Sequence, residues 1–171
     1  MAANVEIKAK VDDLQKLKSI AERLGGGPER ILEQEDTFFH VPNGRLKLRA
    51  LGPTHGELIY YEREDVAGPK PCNYLIARTA DPAALKATLT AALGVRGVVR
   101  KIRHLHLVGQ TRVHLDEVEG LGNFLELEVV LQPGQSPEEG RRIAEGLMRQ
   151  LGIDESQLIR GAYIDLLVPA P

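Results

Sequence analysis

Counted by twos, much of the chain sorts into short runs in which apolar and polar residues alternate. That is the period of a strand with one face out of water. In Asn4–Lys10, Val5, Ile7 and Ala9 share one face, and Asn4, Glu6, Lys8 and Lys10 share the other. Strand runs recur at 30–41, 45–51, 57–63, 73–79, 95–109, 111–120 and 122–134, and Asn43-Gly44 marks a tight hairpin turn between two of them. Helical spacing interrupts the strands three times. Leu14, Leu17, Ile20, Ala21 and Leu24 follow a capping Asp12 or Asp13 and end at Gly25–Gly27. Asp81-Pro82 opens a helix that stops at Gly94. Ser136, Pro137, Glu138 and Glu139 open a third over 136–151, whose Ile143, Leu147 and Leu151 turn inward to pack on the outside of the rest. The tail from Glu155 reads as a short helix or strand.

The order strand, Asp-initiated helix, Leu-Gly stop, long strand, tight turn, charged strand occurs twice. Two similar β-α-β-β halves that close on one another are therefore expected. The expected fold is α+β: one domain over residues 1–171, with eight antiparallel strands in a closed β-barrel and the helices packed outside.

The polar faces carry unusual charge. Arg45, Lys47 and Arg49 share a face, as do Lys101 and Arg103, while Arg63 follows Tyr61 at the same spacing. Arg112, His114 and Asp116 share another, and Phe124, Glu126 and Glu128 another. A solvated face usually mixes signs; these strands are sorted by sign, and Phe124 sits on the same face as two glutamates. Like charges two residues apart stand roughly 6.5–7 Å from each other, so a counter-ion between them is favoured. A triphosphate is such a counter-ion. Arg grips its oxygens in a fork and Lys acts as a point charge, while Mg²⁺ or Mn²⁺ binds carboxylate and phosphate oxygens together. Asp36, on one face with Gln34 and Phe38, is expected to orient basic neighbours.

Composition narrows the partners. The net charge of −2 gives no general attraction for nucleic acid, and the absence of Trp argues against base-stacking platforms. No apolar run approaches the ~20 residues of a membrane span. A single cysteine, Cys72, excludes an internal disulfide and a cysteine zinc cage. A cytoplasmic protein without nucleic-acid or membrane partners is expected; assembly as a homodimer is left open. His104 and His106 share a strand face and could form a zinc pair, but no third ligand is apparent in sequence.

The segments "VEIK", "LKLR", "YER", "VRKIR" and "RVHLDEVEGLGNFLELE", in that order, resemble the CYTH superfamily, which includes class IV adenylyl cyclases and thiamine triphosphatases. The resemblance spans most of the chain, and Arg112–Glu128 is its most specific part. Of the family signature Glu-x-Glu-x-Lys, Glu6 and Lys8 are present and the first position is Asn4. The resemblance implies a triphosphate tunnel. Lys8, Lys47, Arg49, Arg63, Lys101, Arg103 and Arg112 would bind the triphosphate, and Glu6, Glu126, Glu128 and Asp116 would hold Mg²⁺ or Mn²⁺. Together these residues are the expected catalytic set. The "RVHLDEVEGLGNFLELE" block looks closer to the cyclase branch, which makes cyclic AMP and pyrophosphate from ATP. Hydrolysis of tripolyphosphate, thiamine triphosphate or a nucleotide remains the alternative, and non-catalytic binding of polyphosphate or nucleotide a third.

Overall fold

Strand β1 (Ala2–Lys10) shows how the wall is built. Its Val5, Ile7 and Ala9 are buried on the outside of the barrel beneath helices, and its Glu6 and Lys8 are buried on the inside. The main hydrophobic core lies outside the wall, while the inside carries the charge together with a second apolar cluster that includes Phe38, Ile59, Tyr61, Val99 and Tyr163. The computed structural model describes residues 2–169.

After β1 come α1 (Leu14–Gly25), β2 (Arg30–Phe39), β3 (Arg45–Gly52) and β4 (His55–Arg63). Then follow β5 (Lys70–Thr79), α2 (Pro82–Leu93), β6 (Val95–Val108), β7 (Thr111–Val118) and β8 (Gly122–Val130). The chain continues through α3 (Pro137–Leu151), a 3₁₀ turn (Glu155–Gln157) and α4 (Tyr163–Leu167). Every strand pairing is antiparallel, and the ring runs β1-β5-β4-β3-β2-β6-β7-β8 before closing on β1. Exchanging β1–β4 with β5–β8 reproduces this ring read backwards. The expected repeat is thus present as a topological two-fold, each half contributing one helix after its first strand.

The local signals act as their chemistry requires. Asp13 accepts from the Lys16 amide at 3.0 Å and Asp81 from the Ala84 amide at 2.9 Å, each satisfying a free N–H of the first turn. Ser136 and Glu139 cap α3 reciprocally. In the β2–β3 hairpin Gly44 has φ 63°, and a Cβ there would meet Tyr61 O at 2.8 Å. The main core joins Ile7, Ala9, Val113, Leu115, Leu125 and Leu127 of the wall to Leu14, Leu17 and Ala21 of α1 and to Leu147, Met148 and Leu151 of α3. Among the described residues no helix is long and apolar enough to cross a membrane.

The tail resolves into the 3₁₀ turn and α4, and α4 closes one end of the barrel. Tyr163 packs edge-on against Phe124 at 4.9 Å between centroids, and its hydroxyl donates to Asp116 Oδ2 at 2.6 Å. Asp165 anchors the helix by accepting from Arg45 at 2.8 Å and Arg96 at 2.7 Å. Lys70, buried under the same segment, donates to the carbonyls of Val66 (2.6 Å) and Arg160 (2.9 Å).

Candidate active site

Inside the barrel is a cavity of about 460 Å³. Its walls carry Glu6, Lys8, Lys47, Arg49, Arg63, Lys101, Arg103, Arg112, Glu126 and Glu128, the expected set without Asp116. Strand alternation is sufficient to put them there, because each occupies the inward parity of its strand. A larger hollow of about 760 Å³ is lined by residues from both faces of β2 and β6. It gathers Glu33, Glu35, Glu117 and Glu119 against Arg100 and Lys101, the wrong balance for a phosphate chain.

The carboxylates divide into two kinds. Glu6, Glu126 and Glu128 converge, with one oxygen of each within 4.8 Å of the others. β1 and β8 set this up, since Glu6 lies opposite Glu128 and Lys8 opposite Glu126. Burial and the neighbouring Glu126 charge raise the Glu6 carboxyl, although Arg63 donates to it. Three carboxyl oxygens this close, two of them on buried residues, fit a hard divalent ion that accepts carboxylate ligands. Burial opposes ionisation of Glu126 and Glu128, yet Lys8 and Arg103 hold Glu126 well below the usual carboxylate range, and His114 and Arg112 hold Glu128 low.

The second kind orients cations. Asp36 takes a bidentate pair from Arg49 at 2.8 Å, with Lys101 at 3.0 Å and Lys47 at 3.2 Å on the same carboxylate. Burial works against its charge, and Arg49, Lys101 and Lys47 outweigh it, leaving the carboxyl well below its ordinary value. Burial also pushes Lys101 down to about 7, against the pull of Asp36. Asp116, expected among the metal ligands, shows the same kind of contact. It is fully buried behind Arg103, binds that guanidinium through both oxygens at 2.8 and 2.7 Å, and stands apart from the converging trio. Arg103 reaches on to Glu126 at 2.7 Å, so it links a support to a candidate ligand.

The CYTH domain family matches residues 2–163. The chain belongs to the CYTH family. It is 27% identical to a putative adenylate cyclase of Methanocaldococcus jannaschii, over 95% of this chain and 97% of the relative. It is also 27% identical to adenylate cyclase CyaB of Aeromonas hydrophila, over 93% of this chain and 85% of the relative. The PH1012 protein of Pyrococcus horikoshii has a similar structure, with TM-score 0.83 and 29% identity over 95% of this chain and 98% of that one.

In this CYTH tunnel Asn4, at the first signature position, is 3% exposed and lines the cavity one inward step from Glu6. Its Oδ1 has no hydrogen-bond partner in the protein. His114 is buried beside Glu128 at 3.4 Å, and burial together with Arg103 lowers its pKa. Tyr61, part of a buried apolar cluster, also lines the cavity with Lys47 5.5 Å from its ring. Sequence reasoning missed Tyr163, which lines the closed end with Lys8 3.9 Å from its ring. The available signal was slight: it is the one aromatic residue after Phe124.

Proposed function

We propose that this chain is a metal-dependent enzyme acting on a triphosphate, and that its reaction is cyclisation of ATP to cyclic AMP and pyrophosphate. The observation that carries the reading is one closed tunnel in which cations from five strands face three converging glutamates. Two relatives named as adenylate cyclases, one of them as putative, support the choice of cyclisation.

A triphosphate brings about four negative charges, which Arg forks and Lys point charges can share along its length. Asp36 and Asp116 hold Lys47, Arg49, Lys101 and Arg103 in place beforehand, so little reorganisation accompanies binding. Glu6, Glu126 and Glu128 would hold Mg²⁺ or Mn²⁺, which supplies charge neutralisation for phosphate oxygens and the leaving group. Burial behind Tyr163 keeps one end of the substrate from water.

Hydrolysis of tripolyphosphate, thiamine triphosphate or a nucleotide is the second reading. It is favoured by the cations that crowd each glutamate: Lys8 beside Glu126, Arg63 beside Glu6 and Arg112 beside Glu128. A polyphosphate could then be held without a nucleoside.

The test is product analysis with ATP, and separately with tripolyphosphate, in Mg²⁺ or Mn²⁺. Cyclic AMP plus pyrophosphate supports cyclisation, orthophosphate alone overturns it in favour of hydrolysis, and tight binding without turnover overturns both. Glu126→Ala or Glu128→Ala is expected to lose turnover far more than triphosphate affinity; a full-rate variant removes that residue from the metal set.

A further inference from the structure

His104 and His106 face outward from β6, on the opposite side of the strand from Lys101 and Arg103. They are 6% and 2% exposed, at the wall against which α1 packs. The third ligand that the sequence did not reveal comes from the segment between α1 and β2. Glu29 Oε1 lies 2.9 Å from His104 Nδ1 and 3.5 Å from His106 Nε2. The far nitrogen of His104, Nε2, is hydrogen-bonded to Glu117 at 2.9 Å. Lys18 is the other charged group here, with Nζ 3.8 Å from Glu29 Oε1.

The hydrogen bonding of this cluster is incomplete in a telling way. A neutral imidazole has one N–H. If His104 gives it to Glu117, its Nδ1 lone pair faces a carboxylate oxygen. That contact is not aligned as a hydrogen bond: His104 Nδ1, His106 Nε2 and Glu29 Oε1 are all buried without a hydrogen-bond partner. Two unpartnered imidazole nitrogens thus flank one unpartnered carboxylate oxygen, and unpaired buried polar groups are costly. A cation resolves the arrangement, and two imidazoles select a transition metal over Mg²⁺ or Ca²⁺. Glu117 on the outer nitrogen is the usual device that fixes a ligating imidazole's tautomer.

We propose that His104, His106 and Glu29 form a second metal site, of zinc type, on the outside of the barrel. The donors do not yet all fall within 4.8 Å of one another as the tunnel glutamates do, so binding draws the imidazoles together by side-chain rotation. The ion would fasten the α1–β2 segment to the wall, independently of the tunnel.

Zn²⁺ titrated calorimetrically into the full chain tests this. The wild type is expected to bind one equivalent more than His104→Gln/His106→Gln, since tunnel carboxylates can take zinc in both. With Cu²⁺ as the probe, paramagnetic resonance is expected to show two coordinated nitrogens that the double variant loses; His114 is the one imidazole lining the tunnel. Glu29→Gln, on a partly exposed segment, is a milder change and is expected to weaken Zn²⁺ binding roughly tenfold or more. Equal stoichiometry in wild type and double variant, a copper spectrum without two nitrogens, or zinc affinity indifferent to Glu29→Gln each overturns the site, leaving a protonated His–Glu ion-pair cluster.

Discussion

A single carboxylate, Asp36, holds Lys47, Arg49 and Lys101 at once. Asp36→Asn would strand these cations, and breaking a buried ionic set by removing one partner costs about 3–5 kcal/mol. Tripolyphosphate would replace the missing charge. The variant is therefore expected to melt lower than wild type and to gain more Tm on adding tripolyphosphate; equal gains would place these cations away from the ligand. Lys101 adds a pH dependence. Burial pushes it down to about 7, so the free protein loses this charge as pH rises through neutrality. A bound anion favours the protonated amine and raises its pKa. Binding above that point takes up a proton, and affinity falls as pH rises. Calorimetry in buffers of different ionisation enthalpy should detect the uptake, and Lys101→Arg should remove the Lys101 share of it. The inward parity of both residues was legible from alternation. The support role of Asp116 was not, because parity gives the face of a residue but not its depth, and a metal ligand and an arginine clamp share a face.

Helix α3 shows what an element needs beyond its own period. Its cap and apolar stripe were readable, yet the residue that sets its distance from the barrel is Gly140. A Cβ there would meet Val5 Cγ2 and Leu131 Cδ2, each at 2.7 Å. Val5 is fully buried and cannot retreat into solvent. Gly140→Leu is expected to destabilise the protein by about 1–3 kcal/mol through overpacking, measured by urea unfolding; unchanged stability would mean that the α3 contact is not tight. Helix α4 was the element left unassigned. Its five residues are too few for a helical period, and it is held by tertiary partners, Arg45, Arg96 and the Tyr163–Asp116 hydrogen bond. Short elements stabilised from outside leave little trace in local sequence.

At the scale of the molecule, the repeated element order made the two halves readable, while the pairings that join them depend on residues far apart in the chain. The β1–β8 seam is the most distant, and the candidate metal set straddles it: Glu6 comes from one side, Glu126 and Glu128 from the other. Mg²⁺ with tripolyphosphate is therefore expected to slow amide hydrogen exchange in β1 and β8 more than in β3 and β4. Uniform slowing would show that the ligand does not bridge the seam. The same feature sets a time at which this protein becomes competent. While it is being synthesised, Glu6 emerges well before β8 and must wait until β8 has left the ribosome. No truncated or half-made chain lacking β8 can assemble the glutamate trio. Convergence of the three glutamates is thus an all-or-none signal that the ring has closed.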